Sequence, residues 1–114
     1  MGNSMGRIMN LDQINIIKRQ KVKQGLEFVD RMNQIDPVIS RIVIFGSAVS
    51  NECGNDSDID LCIFSQYDNK NKVYRSVRGR LMDQIDDVCD IIRYDTLNDH
   101  FKEVVEDGVT VYEL

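Results

Sequence analysis

Apolar positions recur along the chain with two different periods, and the switches between them mark the elements. From Leu11 onward, Ile14, Ile17, Val22, Leu26, Val29 and Met32 fall at spacings of three to five, mostly on one face of a helix. Asp36-Pro37 closes that helix, because the residue before a proline is pushed away from helical angles. Arg41-Ile42-Val43-Ile44-Phe45 is a β-branched run that stops at Gly46-Ser47, and the alternating Asp58-Ile59-Asp60-Leu61-Cys62-Ile63-Phe64 reads as a second strand beside it. Between them, Asn51, Gly54, Asn55 and Asp56 supply turn chemistry. Residues 71–86 carry Val73, Val77, Leu81 and Ile85 at intervals of four, which predicts a second amphipathic helix, and Val88 to Tyr94 predicts a third strand. Asp99 to Glu106 reads as a short helix with Phe101, Val104 and Val105 inward, followed by Gly108 and a last short strand from Val109 to Tyr112. A hairpin-like pair followed by a helical crossover implies an α/β (α+β) fold, a small mixed β-sheet with helices packed on it.

Residues 1–10 are small, polar and Met-rich and read as a flexible start, leaving residues 11–114 as a single domain. The basic run Lys18-Arg19-Gln20-Lys21-Val22-Lys23 covers the polar face of the first helix, and Gly25 marks a close contact or a weak point within it. The 14 Lys and Arg against 19 Asp and Glu give a net charge of −5, which argues against broad electrostatic capture of nucleic acid. Apolar runs are far shorter than the ~18 residues that a membrane helix needs. Met1 to Met9 has no secretory h-region, and Gly6 stands where a myristoylation start wants Ser or Thr. Cys53, Cys62 and Cys89 match no zinc spacing and cannot all pair within the chain, so a reducing cytoplasm is expected.

The chemistry concentrates in Gly46-Ser47, ten residues, and Asp58-Ile59-Asp60. Residues two apart on a strand share a face, so Asp58 and Asp60 project together while Ile59, Leu61 and Ile63 enter the core. Paired carboxylates repel unless a cation lies between them, and an oxygen-only donor set suits Mg²⁺. An EF-hand fails, because Leu61 replaces its glycine and Tyr67 stands at the twelfth position. Gly-Ser at a strand end, opening a short helical turn, offers backbone N–H groups and a hydroxyl to phosphate oxygens. His100 is the single histidine and reads as a solvated helix residue; Lys70, Lys72, Arg75, Arg78 and Arg80 read as a charged helix face, and Tyr74 and Met82 as core borders.

This constellation resembles the nucleotidyltransferases of the DNA polymerase β superfamily, whose signature is Gly-Ser, about ten residues, then Asp-x-Asp. The likeness runs from about Val38 to Leu114 and is greatest to the minimal nucleotidyltransferases, some of which serve as antitoxins. It implies a nucleotidyltransferase fold, catalytic and metal-binding Asp58, Asp60 and Asp90, and nucleotide-binding Gly46 and Ser47. Asp87 and Asp95 are weaker rivals for the third carboxylate. The implied reaction is Mg²⁺-dependent transfer of a nucleoside monophosphate, most simply AMP from ATP, to a hydroxyl acceptor, with two Mg²⁺ ions when nucleotide is bound. A HEPN-type toxin is the implied protein partner, either as acceptor or as a target neutralised by contact alone. Many minimal members follow Gly-Ser with an Arg-containing turn; here Ala48-Val49-Ser50 lacks that cation, which lowers the expected turnover.

Overall fold

The computed structural model describes residues 6–114. In chain order the elements are β1 (Arg7–Ile8), α1 (Ile16–Ile35), β2 (Arg41–Phe45), β3 (Ile59–Phe64), α2 (Lys72–Ile85), β4 (Cys89–Arg93), α3 (Asp99–Glu106) and β5 (Val109–Glu113). They form a 5-stranded sheet in the order β1-β5-β2-β3-β4. The β2–β3 hairpin and the β5 and β1 pairings are antiparallel, while β3 and β4 run parallel because α2 carries the chain back across the sheet. The fold is α+β, as the pattern predicts.

The Met1-Gly2 start lies outside the described residues. The remainder of the expected flexible start is partly ordered: Arg7 and Ile8 pair with Glu113 and Tyr112, and the Met9 N–H donates to the Val111 carbonyl. So short a strand carries no alternation that a sequence could display. The first helix also begins later than Leu11. Leu11–Gln13 is a 3₁₀ turn, and Asn15 caps α1 by accepting from the Ile17 N–H.

One face of the sheet packs on α1 and α2. Val22, Leu26 and Val29 of α1 and Tyr74, Val77, Leu81 and Ile85 of α2 meet Ile42, Ile44, Ile59, Leu61 and Ile63 there. Gly25 is the close contact between the two helices, since a Cβ on it would lie 2.7 Å from Ile85 Cγ1. Strict spacing by four drifts around a 3.6-residue turn, so Val73 is exposed and Tyr74 takes its inward place. Between Ile42 and Val43 the β2–β5 register shifts past Val111, which lets Val111 and Tyr112 both enter this core.

The opposite face is smaller, with Val43, Cys62 and Val105 at its centre. Only Val105 of α3 is buried; Phe101 and Val104, expected inward, are each 39% exposed, and Phe101 meets the Phe45 ring edge-on at 6.1 Å. The three cysteines are free; Cys53 and Cys62 are buried, and burial holds the Cys62 thiol up to about 12.

Among the described residues, three polar side chains are buried: Lys18, Asn33 and Arg93. Asn33 accepts from the Val38 and Ile39 N–H groups and donates to the Ile39 carbonyl and the Tyr112 hydroxyl, which fixes the chain's entry into β2. Lys18 corrects the reading of the basic run as a solvated face, because this one member points inward.

Candidate active site

β3 sorts its side chains by parity. Ile59, Leu61 and Ile63 pack toward α1 and α2, while Cys62 and Phe64 join the α3 side, which places Asp60 on the α3 side as well. The β3–β4 register sets Asp60 directly beside Asp90, and the β2–β3 register sets it beside Phe45 at the end of β2. Neighbouring strands lie about 4.8 Å apart, so Asp60 and Asp90 are close neighbours on one face. Asp58 stands just before β3, exposed, two residues from Asp60. Burial first, then the charges of Asp90 and Asp58, push the Asp60 carboxyl above its ordinary value. All three carboxylates therefore act on one neighbourhood.

Gly46 closes against this group. Its φ of 74° is left-handed, and a Cβ there would lie 2.5 Å from Asp60 Oδ2. Gly46–Val49 forms a 3₁₀ turn, whose leading N–H groups have no partner within the turn. The Ser47 hydroxyl donates to the Asp58 carbonyl at 3.3 Å, a long bond that joins the turn to the start of β3. Beneath, Ala48 is buried, and its carbonyl accepts from the Asn15 N–H at 2.8 Å. Asn15 also donates through its side chain to the Ser50 carbonyl at 3.0 Å, so the capping residue of α1 fastens the later half of the turn with both main chain and side chain.

The linker from Ser50 to Ser57 is held by its own turn bonds and by Lys18. Gly54 N–H donates to Ser57 Oγ, and Lys18 Nζ donates to the Asn55 carbonyl and to Asp87 Oδ2, both at 2.9 Å. Lys18 thus ties α1, the linker and the approach to β4 together. No periodicity announces it, because it opens a run whose other basic or polar members are Arg19, Gln20, Lys21 and Lys23. Asp87 is engaged by that ion pair and Asp95 by Arg93 at 2.7 Å, whereas Asp60 and Asp90 form no ion pair among the described residues. His100 is exposed on α3.

Among the described residues, no three His, Cys, Asp or Glu side chains are already gathered as a metal-ligand cluster. The donor set nonetheless fits Mg²⁺: it is oxygen-only, and the charge repulsion on Asp60 is what a bound cation relieves.

Among the described residues no helix is long and apolar enough to cross a membrane. No curated protein matches the chain. The family described as polymerase beta, nucleotidyltransferase matches residues 28–114, and the chain belongs to that family.

Proposed function

We propose that this member of the polymerase β nucleotidyltransferase family transfers AMP from ATP to a hydroxyl acceptor, using Mg²⁺ held by Asp58, Asp60 and Asp90. One observation carries the reading: Asp60 stands beside Asp90 in register and against the left-handed Gly46 that opens the Ser47 turn. When bound, Mg²⁺ supplies neutralisation of phosphate charge and acidifies the attacking hydroxyl.

Gly46, lacking a Cβ, lets phosphate oxygens approach the backbone N–H groups of the turn. Ser47 exchanges its long bond to the Asp58 carbonyl for a bond to phosphate. A carboxylate oxygen of Asp90, the more exposed of the β-strand pair, takes the acceptor's hydroxyl proton. The acceptor oxygen bonds to the α-phosphorus, the bond from that phosphorus to the bridging oxygen breaks, and pyrophosphate leaves. Catalysis is then positioning and charge stabilisation by fixed groups.

Calorimetry with ATP, with and without Mg²⁺, tests this directly. ATP binding should require Mg²⁺ and be lost in Asp60→Asn. Asp90→Asn should bind ATP yet fall by roughly a hundredfold or more in pyrophosphate release, as for removal of a general base. ATP binding indifferent to both Mg²⁺ and Asp60→Asn would overturn the assignment.

A second reading, contact neutralisation of a HEPN-type toxin without catalysis, is favoured by the turn itself. Ala48 is buried and Val49 packs on the core, so neither position extends a cation toward the phosphates. Asp58→Ala decides between them, since a contact antitoxin would still neutralise its partner.

A further inference from the structure

A groove of about 690 Å³ runs along the outer edge of β4, between α2 and the turn at residues 94–97. β4 is the last strand of the sheet, so its outward backbone groups have no strand partner; Arg78 Nη2 meets one of them, donating to the Ile91 carbonyl at 2.9 Å. Lys70 and Arg75 line the rim beside Arg78. None of these three cations forms an ion pair among the described residues. In a chain of net charge −5, this local excess of positive charge runs against the overall balance.

Arg93 and Tyr74 form the floor, 7% and 1% exposed, with the guanidinium carbon 4.6 Å from the ring centroid. Asp95 accepts from Arg93 Nε, and the Ser65 and Tyr67 carbonyls accept from Nη2. Nη1 and the Tyr74 hydroxyl are both buried without a hydrogen-bond partner. The two side chains lie against each other beneath the groove surface, and both belong to its lining. The remaining wall is apolar, from Ile91, Ile92 and Leu97.

Guanidinium forks match the oxygens of an oxyanion, and the apolar wall matches an organic body. The volume is far larger than a bare phosphate and lies within the ~300–1,000 Å³ of small-molecule sites. We propose that this groove binds a small organic phosphate ester, at a site separate from the phosphate-binding turn at Gly46-Ser47. Binding here needs neither Mg²⁺ nor the transfer reaction.

Amide NMR titrations without metal test it, using inorganic phosphate, phenyl phosphate and ATP as probes. Phenyl phosphate should saturate shifts at Gly79, Ile92 and Thr96, binding about tenfold more tightly than inorganic phosphate for the added apolar contact. The double variant Lys70→Gln/Arg75→Gln, at two exposed positions, should weaken that binding by about tenfold and leave the rest of the spectrum unchanged. Phenyl phosphate shifts that never saturate, that centre on Gly46 and Ser47, or that ignore the double variant would overturn the proposal. So would ATP occupying the groove as tightly as phenyl phosphate, since the groove would then belong to the nucleotide.

Discussion

Asp60 is held beside Asp90 by the strand register and two residues from Asp58 by the chain, whether or not a cation is present. Removing its charge relieves like-charge repulsion at one point, so Asp60→Asn should melt at a higher temperature than the parent in metal-free buffer. Added Mg²⁺ should raise the parent's melting temperature and not the variant's. A variant that melts lower without metal would mean that the Asp60 carboxylate is stabilising rather than strained. The placement of these residues was legible because a strand's period of two needs no tertiary information. Lys18, Asn33 and Arg93 were not legible, because a buried polar side chain is defined by partners distant in sequence, such as Asp87 for Lys18 or Tyr112 for Asn33. Tyr112 shows the same effect: its hydroxyl donates to Asp30, and burial above all raises it to about 12.

At the scale of elements, α1 and α2 meet through Gly25, and two opposed effects act on Gly25→Ala. Alanine gains about 1 kcal/mol in helix propensity. Its Cβ, however, would sit 2.7 Å from Ile85 Cγ1 and 3.0 Å from Leu81 Cδ1, both on buried residues, where overpacking costs about 1–3 kcal/mol. The net expectation is a loss of about 1 kcal/mol, read as a lower urea midpoint at unchanged slope. A higher midpoint would show that the helices part freely. Element positions were readable wherever apolar residues repeat over several turns or strand residues. They failed where the pattern is too short, as at β1, or where it drifts, as at Val73 and Tyr74. On α3 the sequence placed three apolar residues inward, but the short helix covers only the sheet's middle and buries one of them.

The molecule as a whole is cross-braced by the Lys18–Asp87 pair, which joins α1 to the approach of β4. Burial tends to raise the Asp87 carboxyl, but the Lys18 hydrogen bond, the Val88 N–H and the charges of Lys18 and Lys21 outweigh it and leave it below its ordinary value. A depressed acid binds its proton more weakly folded than unfolded. Its contribution is therefore fully present above the unfolded value, near 3.9, and is lost as pH falls through the folded one. Parent stability should decline on acidification through that window, and Asp87→Asn should show a shallower decline, measured as urea midpoint against pH. Equal slopes would remove the brace.

The last residue of the chain supplies a different kind of consequence. Leu114 donates its N–H to the Ser40 carbonyl, just before β2, whereas Gly46 follows the far end of that strand. The carboxylate face also lies on β3 and β4, two and three places along the sheet from β5. At ~3.3 Å per strand residue, the length of β2 alone sets roughly 17 Å between the two. Leu114 and the corner where Gly46 meets Asp60 thus lie toward opposite ends of β2, and a surface or a fused protein grafted through Leu114 leaves the proposed site open to solution.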